Sequence, residues 1–105
     1  MAVAADFGPF IVSVSNMFYR SSKESIAFVN LRPVVPGHVL IILKCVVAQM
    51  ADMTKKEYID MWQAVRCVQK ILQKHYTNCT AFNIGVQDGK GSVQSVPYVH
   101  VHILP

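Results

Sequence analysis

Two imidazoles stand two residues apart near the C-terminal end of the chain, His100 and His102, with Tyr98 one step before them at the same spacing. Side chains alternate along a strand, so these three share one face while Val99, Val101 and Ile103 point the other way into a core. A polar strand face ordinarily carries Thr, Ser or Lys, which makes a His-x-His pair compositionally odd. Three readings fit the pair taken alone. The plainest is two satisfied boundary histidines. A zinc site is the second, and it needs a further ligand from His38, Asp88 or a cysteine. The third is covalent catalysis, in which a neutral imidazole attacks phosphorus while its neighbours hold the tautomer and stabilise developing charge.

The residues before that strand bear on the choice. Asp88, Gly89, Lys90, Gly91 and Ser92 form a glycine-bearing loop able to turn backbone amides toward an anion, and Gln87, Gln94 and Ser95 add neutral donors. The same composition serves a plain turn, where Gly and Asp satisfy geometry with no ligand. His75 falls at the end of a helical stretch, where a partly charged imidazole suits the negative helix end and capping explains it.

These groups need a scaffold, and the pattern supplies one. Short strands are expected over residues 10–14, 17–20 and 26–30, separated by polar clusters. Pro33 and Pro36 keep residues 31–36 extended, and Pro36-Gly37 marks a tight turn into a buried strand over residues 38–43. So apolar a run implies cover on both faces. Thr54-Lys55-Lys56-Glu57 matches a capping box and opens a helix. Its apolar stripe is Tyr58, Met61, Trp62, Val65, Val68, Ile71 and Leu72, with Lys55, Asp60, Gln63, Arg66, Gln69 and Lys70 on the other side. Strands over residues 80–86 and 96–104 complete the order strands, helix, strands. Without strand-helix-strand alternation, an α+β fold with an antiparallel sheet and the long helix on one face is expected.

Composition narrows the function classes. A chain of 105 residues, 52% hydrophobic and 15% charged, can bury enough surface to fold as one compact domain over residues 1–105. Cys45, Cys67 and Cys79 form no CxxC pair and are expected as buried or semi-buried thiols in a reducing compartment, cytoplasmic and also nuclear. Residues 1–10 have no basic leader, and Lys44 ends the strongest apolar run far short of a membrane span. The net charge of +4 comes from scattered cations, many on the solvated helix face. Neither nucleic acid nor a membrane is the expected partner.

Residues 94–105, Gln-Ser-Val-Pro-Tyr-Val-His-Val-His-Ile-Leu-Pro, resemble the signature of the histidine triad family, His-φ-His-φ-His-φ-φ. Residues 30–40, Asn-Leu-Arg-Pro-Val-Val-Pro-Gly-His-Val-Leu, resemble the matching segment of its fragile histidine triad branch, which hydrolyses diadenosine polyphosphates, and Gln87-Asp88-Gly89 is similar to a third block. The resemblance runs from about residue 10 to residue 105 in order and spacing. It implies an antiparallel five-stranded sheet with one long helix packed on a face, assembled as a homodimer. It implies a nucleotide hydrolase or transferase acting at the α-phosphate of a dinucleoside polyphosphate or nucleoside phosphoramidate through a nucleotidyl-histidine, with AMP as a product.

Carried over residue by residue, the resemblance makes His100 the nucleophile, His102 a phosphate contact and His38 the histidine standing behind the triad. Gln87 holds an α-phosphate oxygen, Asn30 meets the ribose hydroxyls, and Val93, Gln94, Ser95 and Val96 line the phosphates. Phe28 is equally a candidate for the adenine pocket and for plain core. No cofactor is required and no metal is assigned to the site, although a divalent cation can accompany the substrate phosphates. The departure is Tyr98, which stands where the family has its first histidine. A phenol with an ordinary pKa of about 10 cannot become cationic, but it keeps a hydroxyl donor. Losing one stabilising donor in comparable sites costs about 2.7–4 kcal/mol, so slowed chemistry is expected. The backbone carbonyl of residue 98 survives the exchange and can still fix the tautomer of His100. A nucleotide-binding signalling module with weakened catalysis is the alternative.

Overall fold

The computed structural model describes residues 5–7, 10–12, 17–21, 24–30, 35–45, 47–89 and 99–105. The chain forms strands β1 (Ala5–Phe7), β2 (Phe10–Val12), β3 (Met17–Arg20), β4 (Ser25–Val29) and β5 (Val39–Leu43), then helix α1 (Lys55–His75), β6 (Asn83–Val86) and β7 (His100–Leu104). A short 3-10 turn, Met50–Asp52, precedes the helix. β1 and β2 form a separate two-stranded antiparallel sheet, in which β2 is the strand expected over residues 10–14, residues 13–14 lying outside the described residues, and β1 is the strand that the sequence pattern did not announce. The other five strands make one sheet in the order β3-β4-β5-β7-β6, antiparallel at every pairing.

The expected fold is therefore present, with shifted boundaries. β4 begins one residue earlier than expected, at Ser25, and the strand expected over residues 80–86 starts only at Asn83. For the last strand, residues 96–98 of the expected range lie outside the described residues.

β5 runs up the middle of the sheet and is buried along its whole length, Val39 to Leu43. One face meets α1. Ala27, Val39, Ile41, Leu43, Val101 and Ile103 pack there against Met61, Ala64, Val65, Val68 and Leu72. Fully burying an aliphatic side chain of this kind contributes about 1.5–3 kcal/mol. On the opposite face Ile26, Phe28, Leu40 and Ile42 form a smaller apolar cluster, joined by Met17. That second cluster is why β5 reads as a continuous apolar run.

Helix α1 starts as the capping box requires. The Thr54 hydroxyl accepts from the Glu57 amide at 3.1 Å, and the Thr54 amide donates to Glu57 Oε1 at 2.8 Å. Its buried stripe is narrower than the periodicity implied. Tyr58 and Ile71 are 48% and 38% exposed, while Glu57 and Ala64 are buried. A helix lying on a sheet covers one line of residues, and both of those side chains sit at its margin. The polar side also does more than meet water. Asp60 Oδ2 accepts from the Ser21 and Ser25 hydroxyls at 2.7 and 2.6 Å, tying the helix to the turn between β3 and β4. The thiols differ from expectation too: Cys45 and Cys67 are exposed, and only Cys79 is half-buried.

Pro36-Gly37 forms the expected turn. The His38 amide donates to the Val35 carbonyl at 3.1 Å, and Gly37 has φ +82°, the left-handed value that a type II turn demands at its third position. A Cβ on Gly37 would lie 2.8 Å from Tyr76 Cε2 and 2.9 Å from Pro105 Cγ, so crowding also excludes larger residues. This turn sets the entry of β5, and with it His38.

Candidate active site

Strand registry explains how distant residues reach one surface. In the β5 and β7 pairing Leu40 lies across from His102 and Ile42 from His100; in the β6 and β7 pairing Gly85 lies across from His102. Val86 pairs with Val101 as the last pair of that ladder, and continuing its register by one step would bring Gln87 toward His100. In the β4 and β5 pairing Phe28 lies across from Leu40 and Val29 from Val39, and the Asn30 amide donates to the His38 carbonyl at 3.1 Å. Alternation then places Phe28, Asn30, His38, Gly85, Gln87, His100 and His102 on the sheet face turned away from α1.

The three histidines form a contact chain. The rings of His100 and His102 are 4.8 Å apart and nearly edge to face, and those of His38 and His102 are 5.2 Å apart. His38 Nε2 lies 3.0 Å from His102 Nδ1, a hydrogen-bonding distance. Behind them the Asn30 amide nitrogen approaches His38 at 3.2 Å from Nε2 and 3.4 Å from Nδ1. His100 and His38 are buried, at 2% and 3% exposure, and His102 is half-buried. His102 Nε2 is itself buried and has no hydrogen-bond partner among the described residues.

Electrostatics keep His38 and His102 uncharged near neutral pH. Burial, reinforced by His100 and then His38 beside it, pushes the pKa of His102 down from 6.5 to about 4. Burial alone lowers that of His38. Near neutral pH both rings are neutral imidazoles, each with one donor and one acceptor nitrogen. Such a ring can hold a tautomer in its neighbour and offer one N–H to an anion.

The other expected site residues divide in two. Phe28 is 3% exposed and packs with Ile26, Leu40 and Ile42, which is a core environment. Gln87 is half-buried at the exit of β6. Val93, Gln94, Ser95, Val96 and Tyr98 lie outside the described residues. Asp88, which a zinc reading could enlist, accepts from the Met50 amide at 2.8 Å. Among the described residues no group of three or more His, Cys, Asp or Glu is arranged to hold a metal ion. Gly85 was missed by sequence reasoning. Counting back by two from Gln87 would have found it on the same face, where a Cβ would meet no atom of the described residues within 4 Å.

The HIT domain family model matches residues 12–105, nearly the whole chain and every described candidate residue. The chain belongs to the HIT family. Among curated HIT relatives, the bis(5'-nucleosyl)-tetraphosphatase [asymmetrical] of Schizosaccharomyces pombe is 48% identical over 91 residues, 87% of this chain and 49% of that protein. The bis(5'-adenosyl)-triphosphatase of Dictyostelium discoideum is 38% identical over 99 residues, 94% of this chain and 65% of that protein. The chain thus spans about half to two thirds of the length of these two relatives. The crystal structure of the Caenorhabditis elegans NitFhit protein superposes with a TM-score of 0.91 at 43% identity, covering 97% of this chain and 24% of that one. That superposition places the five-stranded sheet and its helix within the HIT fold.

Proposed function

We propose that this HIT domain is a nucleotide hydrolase or transferase that cleaves at the α-phosphate of a dinucleoside polyphosphate or nucleoside phosphoramidate, with His100 as nucleophile. The observation that carries the reading is the paired rings of His100 and His102, with the unpartnered Nε2 of a neutral His102 beside the attacking ring. The names of the two curated relatives, both phosphatases of dinucleoside polyphosphates, support the substrate class.

The chemistry runs in two balanced steps. The lone pair on the unprotonated nitrogen of His100 forms an N–P bond to the α-phosphorus while the bond to the bridging oxygen, or nitrogen of a phosphoramidate, breaks. The leaving group departs with that electron pair. Water then attacks the same phosphorus, the P–N electrons return to the ring, a nucleoside monophosphate such as AMP is released, and the water proton passes to solvent. A second nucleophile in place of water makes the same sequence a transfer.

Proton placement follows from the hydrogen-bond chain and is an assignment by bond accounting. For His102 to donate to a phosphate oxygen its proton must sit on Nε2, which makes Nδ1 the acceptor. His38 Nε2 is then the donor across the 3.0 Å contact, so of the two His38 nitrogens near the Asn30 amide, Nε2 at 3.2 Å and Nδ1 at 3.4 Å, it is Nδ1 that accepts from it. Asn30 meets the ribose hydroxyls in the same reading. A phosphate anion would satisfy the buried Nε2–H, which otherwise costs about 1–3 kcal/mol. Gln87, one step beyond the last pair of the β6 and β7 ladder, adds an amide donor to the same oxygens. Val93, Gln94, Ser95 and Val96 complete the phosphate contacts in this reading, and no step needs a metal or cofactor.

A homodimer belongs to the same proposal, and β6 supports it as a sheet edge bearing an exposed Ile84 that a second copy would cover. A cytoplasmic setting is proposed with it. Among the described residues no helix is long and apolar enough to cross a membrane.

The test is incubation with diadenosine triphosphate and with adenosine phosphoramidate, followed by assay for AMP and for an adenylylated protein. Turnover in the native protein that is lost in His100→Ala is expected. Tight nucleotide binding with no product would instead establish the binding-module alternative that Tyr98 raises.

A further inference from the structure

Gln87 owes its place to the two residues that follow it as well as to the strand before it. The strand pairing ends at Val86 with Val101, so ladder hydrogen bonds no longer fix the chain where Gln87 begins. Immediately beyond it, Asp88 Oδ1 accepts from the Met50 amide at 2.8 Å, a bond between residues 38 positions apart. Met50 opens the 3-10 turn Met50–Asp52, whose own closing bonds are Asp52 amide to Gln49 carbonyl and Met53 amide to Met50 carbonyl. On the next residue, Gly89 has φ +87°, and a Cβ there would lie 2.5 Å from Gln49 Nε2. The β6 exit is thus held by the Met50 amide through a charge-assisted hydrogen bond, and the next residue turns through a left-handed conformation that glycine tolerates.

We propose that Asp88 is the positioning residue for Gln87: its carboxylate, anchored on the Met50 amide, holds the β6 exit so that the Gln87 amide faces the phosphate beside His100. This inference rests on the reading of His100 and Gln87 given above. Asp88 touches no substrate. Its effect is on orientation, and a displacement of about 1 Å at a reacting centre can lower a rate by as much as about 10²-fold.

The experiment is a double-mutant cycle on diadenosine triphosphate hydrolysis, with thermal unfolding and the backbone order parameter of Gln87 followed by NMR. Asp88→Ala lowers kcat about tenfold. Asp88→Asn keeps a side-chain oxygen for the Met50 amide and restores most of that rate. In a Gln87→Ala background, Asp88→Ala causes no further loss, because the group it positions is gone. The Gln87 order parameter falls in Asp88→Ala and recovers in Asp88→Asn. An Asp88→Ala protein with native kcat, or one whose loss is as large without Gln87 as with it, overturns the proposal. A native protein with no turnover would sink the reading of the site; the clamp is then decided by the order parameter, and an unchanged value in Asp88→Ala overturns it.

Discussion

His38 and His102 lie 64 residues apart in the chain, yet Nε2 of one stands 3.0 Å from Nδ1 of the other. His38 sits just before β5 and His102 within β7, and the pairing of those strands makes them diagonal neighbours on one face. A neutral imidazole held this way cannot spin or exchange tautomers without breaking the bond.

His38→Ala is therefore expected to lower kcat about tenfold or more, by releasing the tautomer of His102, while the fold persists. Steady-state kinetics with diadenosine triphosphate, alongside far-UV circular dichroism, measures it. An unchanged kcat would place His38 outside the proton chain.

Stability should fall in acid for a reason located in the same cluster. The pKa of His102 in the folded protein, about 4, lies below the ordinary 6.5. Between those values the unfolded chain binds more protons, so stability is fully present above about pH 6.5 and is lost as pH drops through 4. Lowering of the His38 pKa by burial acts in the same direction. Urea midpoints between pH 4 and 8 are expected to plateau at the upper end and decline below it, with a shallower decline in His102→Asn.

If Tyr98 holds the place that the resemblance gives it, Tyr98→His should raise kcat, by up to about 10²-fold, because a donor that can carry charge is restored at that position. Equal rates for the two proteins would show that the native phenol already does that work.

Asp60→Ala should destabilise the fold by about 1–3 kcal/mol, since the Ser21 and Ser25 hydroxyls lose a shared acceptor and Ser25 is fully buried. Denaturant unfolding reads the loss directly. Little change in turnover is expected, because this link lies on the α1 side of the sheet.

Much of this arrangement was legible in the chain itself. Thr54 and Glu57 announce the helix start through chemistry three residues apart, and the cap forms as expected. Pro36-Gly37 announces the turn because one residue fixes φ and the other tolerates the left-handed region. The alternation of Val99, His100, Val101, His102 and Ile103 assigns two faces with no knowledge of what covers them. The misread features are those that depend on remote partners. Nothing local shows that Asp60 will accept two serine hydroxyls, that Asp88 will reach Met50, or that Tyr58 and Ile71 will stay exposed at the margin of a helix packed on a sheet.

The sequence by itself determined the periodicities, the caps and turns, and the family signature, because each is set by residues within a few positions of one another. Only the tertiary structure decided that Asn30, His38, Gly85, Gln87, His100 and His102 share one surface. Strand order and register bring them together, and these are fixed by burying two apolar clusters on opposite faces of a single sheet.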